Sequence, residues 1–473
     1  MTILWTDITA AQATGGKAQQ GSWQATRVEI DSRKVKAGDL FVALKGENFD
    51  GHDYIADALA KGAVAAMVTR VPQALSKVPM LIVEDTLKGL EALGLDARKR
   101  INAKVIGVTG SVGKTSTKEM IRMALMAHGE TYATSGNYNN HIGTPLNMAN
   151  LPSSTQFAVF EMGMNHAGEI SHLTKMVRPQ VGAITTVEAV HMEFFGSLEG
   201  IADAKLEIFE GMISEGYAIL NRDSALYGYM AKRVTDYGVK HIVTFGAHEK
   251  SDCRLIEYRA GSDGCTITGS IHGKHISYSL KAVGRHWALT SLLTLAVVHA
   301  LGLDIEKTAK ALANFGELDG RGRVLKIAVS GGEAILIDDS YNASPAAMRA
   351  AFAKTAEVWE GMERKGRKLA ALGNMLELGR DTTLLHSGLA PDVLSNGFDG
   401  IFTAGDLMQH LHDALPSAMC IGHVAQAMQL LPLLQKKLRP GDILLVKGSH
   451  GSKMYELASA LMNKSSVEQK HAV

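Results

Sequence analysis

Cysteine is scarce in this chain, with only Cys253, Cys265 and Cys420 in 473 residues. Neither the number nor the spacing suits a disulfide framework or a cysteine-built zinc site, and such thiols belong to a reducing compartment. An excess of charge of either sign is also missing, since 49 Lys+Arg face 48 Asp+Glu. Proteins that grip DNA or RNA need a basic face, so the balance argues against nucleic acid as a partner. Long apolar runs are lacking too. The longest uncharged apolar stretch, Trp287 to Leu303, is interrupted by Thr290, Ser291, Thr294 and His299. It falls short of a membrane span and reads as a buried helix. The opening residues, Met1-Thr2-Ile3-Leu4-Trp5-Thr6-Asp7, lack the basic-then-apolar order of a secretory signal. No internal repeat is present, and the polar tail after Asn463 is expected to fray. These absences predict a soluble, cytoplasmic chain with no stable membrane insertion. The length allows two to four domains, each able to bury a core.

What the chain does have is a phosphate-binding pattern. The apolar run Val105-Ile106-Gly107-Val108 leads into Thr109-Gly110-Ser111-Val112-Gly113-Lys114-Thr115-Ser116, and Thr117 to Ile121 reads as the start of a helix. A strand feeding a glycine loop into a helix N-terminus turns backbone N–H groups and the helix dipole toward an anion. Lys114 would neutralise terminal phosphates and Thr115 would place a hydroxyl on an accompanying Mg²⁺. The first glycine of the longer P-loop pattern is replaced by Val108, while the core Gly110-x-x-Gly113-Lys114-Thr115 is intact.

Around this loop the chain alternates short apolar runs with helical ones, the pattern of an α/β protein. Residues 1–85 form a small α/β unit, with strands near 28–30, 40–44, 65–68 and 80–83. Residues 86–317 form a central unit whose runs at 105–108, 157–160, 181–185 and 217–220 suit a parallel sheet. Residues 240–283 read as an antiparallel addition to it. Residues 318–473 alternate β and α again and predict a doubly wound, Rossmann-like unit.

In chain order, the glycine loop is followed by Ser135-Gly136-Asn137-Tyr138-Asn139-Asn140-His141-Ile142-Gly143-Thr144-Pro145, then Glu161-Met162-Gly163. After these come the run His191 to Lys205 and Asp338-Asp339-Ser340-Tyr341-Asn342-Ala343-Ser344-Pro345. Across nearly its whole length the chain resembles the Mur ligase family, the ATP-dependent amide-forming enzymes of bacterial cell-wall synthesis. Asp31 to Ile55, Glu161 to Ile170, Asp339 to Pro345 and Asn374 to Gly379 resemble the type that adds D-alanyl-D-alanine to UDP-N-acetylmuramoyl-tripeptide through an acyl phosphate. The sequence departs from the family pattern in three places. Asn374 stands where the family carries Asp, Gly284 to Thr290 lacks two asparagines, and Glu188 adds a carboxylate before His191.

The resemblance implies a site for ATP, Mg²⁺ and two small-molecule substrates in a monomer. Gly110, Ser111, Val112, Gly113, Lys114, Thr115 and Ser116 would hold the phosphates. Asp339 would bond the ribose and Tyr341 would pack on the nucleotide. Arg321 or Arg323 would reach the γ-phosphate, unless they are solvated linker charges. Thr115 and Glu161 would ligate one metal and His191 a second. Asn137, Asn140, His141 and Thr144 would contact the muramoyl-peptide substrate, and Ser32 and Arg33 its uridine-diphosphate end. Lys205 aligns with a lysine that several Mur ligases carry as a carbamate. The alternative is a surface lysine beside Asp203 and Glu207.

Three other readings share this fold. A folate-type ligase lacks a UDP-binding first domain, so residues 1–85 argue against it. A lysine- or diaminopimelate-adding relative carries an Asp-Asn-Pro-Arg-like motif, which is absent. A nucleotide-binding regulator would explain Trp287, Thr290 and Asn374, but needs no Lys114, Glu161, His191 and Lys205 together.

Overall fold

The computed structural model describes residues 2–470 apart from 137, 189–191, 214, 262–263 and 364. Three principal sheets of five, nine and six strands follow one another along the chain, beside a two-stranded ribbon formed by Trp5–Thr6 and Gln24–Ala25. The α/β class expected from the alternation holds. Among the described residues no helix is long and apolar enough to cross a membrane.

In the first sheet Arg27–Glu29, Asp39–Val42, Ala65–Val68 and Met80–Ile82 run parallel, and Lys17–Gln19 joins the edge antiparallel. The helix Thr86–Arg100 follows, capped by the Asp85 carboxylate, which accepts from Leu87 and Lys88 N–H. Its buried face shares one core with the central unit, a cluster that includes Trp5, Leu90, Val105, Leu146 and Phe160. Polar clasps close the same seam. Trp5 Nε1 donates to Ala149 O at 2.8 Å, and the Asn150 amide pairs with both backbone groups of Val28.

The nine-stranded sheet is parallel from Thr131–Ala133 through Phe157–Glu161, Lys104–Thr109, Val181–Ile184 and Tyr217–Asn221 to His241–Gly246. His241–Gly246 also pairs parallel with the start of Cys253–Gly261, so the parallel part extends further than the sequence suggested. Only the hairpins from Cys253 to Leu280 are antiparallel. The strand Lys104–Thr109 lies between Phe157–Glu161 and Val181–Ile184, so the chain passes to opposite sides of it. That arrangement opens a crevice at the C-terminal strand ends, where ligands bind in α/β sheets. The helix Arg285–Ala300 is buried along most of its length, as its apolar composition predicts.

The third sheet runs Arg323–Val329, Gly332–Asp339, Ile443–Lys447, Lys368–Gly373, Gly400–Ala404, Cys420–Val424, parallel after its first hairpin. Alternate strand residues enter opposite cores. Ile337, Ala370, Leu372 and Leu445 pack on one face, and Leu336, Leu369, Ala371 and Leu444 on the other. This is the doubly wound architecture. The closing helix continues to Lys470, so the polar tail expected to fray is helical there.

Candidate active site

The phosphate loop is shaped by close backbone approach. Gly110 has φ 151°, and a Cβ there would sit 1.9 Å from Thr185 Oγ1. Gly113, at φ 84°, begins the helix Lys114–Met126 without any side-chain cap. An uncapped helix start leaves N–H groups to an anion. The neighbouring segment braces the loop: Ser111 N–H donates to Thr186 O at 2.9 Å, and Thr185 Oγ1 donates to Val112 O at 2.6 Å. Glu188 contributes through its backbone, whose N–H donates to Ser111 Oγ at 3.0 Å. Its half-buried carboxyl is pushed above the ordinary glutamate range by burial.

Lys114 folds back on its loop, its Nζ donating to Gly110 O at 2.8 Å. Burial pulls its ammonium below the ordinary lysine range; the Glu161 carboxylate opposes this and Arg321 reinforces it. Glu161 ends the adjacent strand and is 2 % exposed. Its Oε1 accepts from Asn139 Nδ2 at 2.7 Å, and its buried Oε2 has no hydrogen-bond partner among the described residues. An unsatisfied buried carboxylate oxygen is costly unless something cationic or hydrogen-donating meets it.

Lys205 lies at the end of the helix Leu198–Leu206 and is 2 % exposed. The surface alternative is therefore overturned: Asp203 pairs instead with Arg233 and Tyr229, and the Glu207 carboxylate accepts from Gly168 and Ser171 N–H at 2.6 and 3.0 Å. Lys205 Nζ lies 3.9 Å from Met164 Sδ. Burial holds its amine well below the lysine range, and the Lys114 charge adds to the effect. Lys114, Glu161 and Lys205 are thus brought together. His191 and Asn137 lie outside the described residues. Among the described residues no three His, Cys, Asp or Glu side chains are grouped to hold a metal.

The loop 135–145 is pinned from below by Asn147, which the sequence did not single out. Its amide accepts from Ser135 N–H at 3.1 Å and donates to Tyr138 O at 3.0 Å and Gly143 O at 2.8 Å. Asn140 Oδ1 caps the turn to Gly143 N–H at 2.9 Å. Thr144 is fully buried, with Oγ1 unpartnered among the described residues. Asn140 and His141 line a cavity of about 290 Å³ with Gly163, Gly168, Glu169 and His172.

Ser32 and Arg33 are not part of that cavity. Arg33 is 85 % exposed and pairs with Asp31 at 2.9 Å, while Ser32 O accepts from Lys61 Nζ at 3.0 Å. The contact across to the loop 135–145 is made by Lys34, which donates to Tyr138 OH at 2.7 Å. Sequence reasoning missed it because the partners are 104 positions apart.

The third unit reaches the phosphate loop through Arg321. Its Nη2 donates to Thr115 Oγ1 at 3.0 Å, and its guanidinium lies 4.2 Å from the Tyr341 ring centroid. Arg321 is therefore no solvated linker charge, whereas Arg323 pairs with Asp319 at the surface. Asp339 is paired with Lys447 at 2.6 Å, so a ribose at this position would share its carboxylate with a lysine. The departures from the family pattern are absorbed by the fold. Trp287 is buried against Phe315, with ring centroids 5.3 Å apart, and Thr290 Oγ1 donates to His286 O. Asn374 Oδ1 accepts from Met408 N–H at 3.1 Å.

Comparison with known proteins fits this geometry. Residues 24–95 match the Mur ligase family, catalytic domain; residues 108–298 match the Mur ligase middle domain; residues 320–450 match the Mur ligase, glutamate ligase domain. UDP-N-acetylmuramoyl-tripeptide–D-alanyl-D-alanine ligase of Rickettsia prowazekii is 34 % identical over 452 residues, covering 96 % of this chain and 98 % of that one. A crystal structure of MurF from Acinetobacter baumannii superposes with a TM-score of 0.83 at 30 % identity, covering 97 % and 99 %. MurF from Thermotoga maritima in complex with ADP gives a TM-score of 0.77 at 27 % identity, covering 93 % and 98 %. Three successive units, an uncapped phosphate loop beside a buried glutamate and lysine, and likeness over the full length lead to one conclusion: the chain belongs to the Mur ligase family.

Proposed function

We propose that this chain joins the amine of D-alanyl-D-alanine to the terminal carboxylate of UDP-N-acetylmuramoyl-tripeptide, at the expense of ATP, in the cytoplasm. Lys114, Glu161 and Lys205, gathered beside an uncapped helix start, are the observation that carries this reading. Amide formation from a carboxylate is uphill in water, so the carboxylate must first be activated. One of its oxygens attacks the γ-phosphorus, the bond to the β-bridging oxygen breaks, and ADP leaves. The dipeptide amine then attacks the acyl carbon, and inorganic phosphate departs with the carboxylate oxygen it captured.

In this scheme the loop N–H groups of 110–116 and Lys114 bind the triphosphate and stabilise the charge that shifts in transfer. Arg321 is placed to follow that charge if it leaves Thr115 for a phosphate oxygen. Glu161 suits a divalent cation, because Oε2 is buried and unpartnered among the described residues while Oε1 is fixed by Asn139. Mg²⁺ takes one or two carboxylates plus phosphate oxygens, so a full protein cage is not needed. Glu161 and, once freed of Arg321, Thr115 would hold it; bound there, it would neutralise phosphate charge.

Lys205 is suited to carry CO₂. Its neutral amine attacks the carbon of CO₂, a proton passes to solvent, and the resulting carbamate is an anion beside Lys114. Only a lysine whose amine is neutral can do this, and burial favours that state.

The test is ADP and phosphate release by the purified chain. Release is expected only when ATP, UDP-N-acetylmuramoyl-tripeptide and D-alanyl-D-alanine are all present, in stoichiometry with the extended product. Steady ATP turnover that ignores the dipeptide would refute the ligase reading.

A further inference from the structure

We propose that the buried ion pair Glu317–Lys354 is a joint that fixes where Arg321 meets the phosphate loop, so that both members are positioning residues for phosphoryl transfer. The inference rests on the ligase reading above.

The chain crosses from the central unit to the third at residues 317–324, and the Glu317 carboxylate holds both sides of that crossing. Its Oε1 accepts from Val283 N–H of the central unit at 3.2 Å, and its Oε2 accepts from Val324 N–H of the third unit at 2.8 Å. Lys354, on the helix Pro345–Glu360, donates from Nζ to Glu317 Oε1 and to Gly322 O. The Lys354 side chain is 3 % exposed and that of Glu317 9 %. A charge so placed is costly to leave without its partner, so the pair resists any sliding of one unit past the other. A second contact bears on the same seam. Tyr258 OH accepts from Gly284 N–H at 2.8 Å and faces the carboxyl of Glu357, three residues beyond Lys354.

Arg321 lies inside this crossing. Between Glu317 and Gly322 the chain makes a tight turn, with Arg321 N–H donating to Leu318 O at 3.0 Å and Gly322 N–H to Asp338 O at 2.8 Å. Gly320 and Gly322 take φ of 68° and 87°, values that favour glycine. A Cβ on Gly322 would sit 3.0 Å from Lys354 Nζ, so the ammonium packs onto the turn itself. The turn is thus held at its start by Glu317 and at its end by Lys354, and its backbone sets the origin of the Arg321 side chain. From there the guanidinium reaches Thr115 Oγ1 at 3.0 Å, next to Lys114 in the chain. Buried ion pairs are often replaceable by apolar groups of like volume without loss of stability. The use of this one is position: its partners bracket the residue that crosses to the phosphates. A misplacement of about 1 Å at a reacting group costs up to about a hundredfold in rate.

The test is a double-variant cycle read by phosphate release from the full chain with ATP, UDP-N-acetylmuramoyl-tripeptide and D-alanyl-D-alanine. Glu317→Gln, and the neutral pair Glu317→Gln/Lys354→Met, are each made in the wild type and in Arg321→Ala. In the wild-type background each is expected to lower kcat by about tenfold or more. The KM for ATP and the affinity for ADP, read by calorimetry, are expected to stay close to wild type, because residues 110–116 are untouched. In the Arg321→Ala background the same changes are expected to add little, because the group they misplace is already gone. An undiminished kcat in both variants, a loss confined to the KM for ATP, or an equal loss with and without Arg321 overturns the proposal and leaves the ligase reading standing. Failure of both variants to reach the wild-type fold by circular dichroism assigns the pair to stability and overturns it too. Absence of phosphate release by the wild type overturns the ligase reading and the proposal with it.

Discussion

Replacing Lys114 by alanine is expected to lower ligation by about a thousandfold or more, the range seen when a preorganised charge is removed from a phosphoryl or acyl transition state. The fold should not suffer. Among the described residues Lys114 Nζ bonds only carbonyls of its own loop, Gly110 O at 2.8 Å and Ser111 O at 3.5 Å. Burial already disfavours its charge, so its loss relieves a desolvation cost. Circular dichroism and the urea midpoint should match the wild type while phosphate release disappears. A variant that folds normally and retains near-normal turnover would refute the assignment of the phosphate loop.

Lys205→Ala is expected to lose most activity for a different reason. If the working form is a carbamate, the missing group is an anion, and a small carboxylate such as acetate or formate should restore part of the rate by filling the vacated space. Depleting CO₂ should slow the wild type, and bicarbonate should recover it. Lys205→Arg should not rescue, since a permanent cation cannot carry CO₂. Stability should move the other way. In the unmodified chain the folded-state pKa of Lys205 lies below the ordinary 10.5, so between the two values the unfolded chain binds more protons. Wild-type stability therefore rises with pH through that window, and at lower pH the buried amine is a burden. Lys205→Met should be at least as stable as wild type near neutrality and should lack this pH dependence. Indifference to CO₂ together with substantial activity in Lys205→Arg would show that the lysine works as a cation.

Much of this site is legible in the chain itself because its parts are local. The glycine loop, its lysine and the helix after it occupy a dozen consecutive residues, and Glu161 is marked by the apolar run that ends on it. The alternation of short buried strands with helices likewise fixes the three α/β units. What escapes is whatever depends on two distant segments meeting. Arg321 and Thr115 are 206 positions apart, and nothing near either residue announces the other. The burial of Lys205 is equally a tertiary fact. Its helix carries Glu199, Asp203 and the lysine itself, a composition that suits a solvent-facing helix as well as a buried one. The unexpected role of Asn139 arises the same way: a loop rich in Asn and Gly reads as a turn, yet this asparagine holds the carboxylate of a different strand. Departures such as Trp287 and Asn374 look functional in the sequence and prove to be packing and capping in the fold.

The central claim is that the tripeptide carboxylate is activated by phosphorylation at this site. It is tested most directly by labelling that carboxylate with ¹⁸O and analysing the phosphate released during ligation to D-alanyl-D-alanine. The account predicts one ¹⁸O transferred from substrate to inorganic phosphate for each amide bond made, because the acyl phosphate releases the carboxylate oxygen with phosphorus. Product formation with unlabelled phosphate would contradict it.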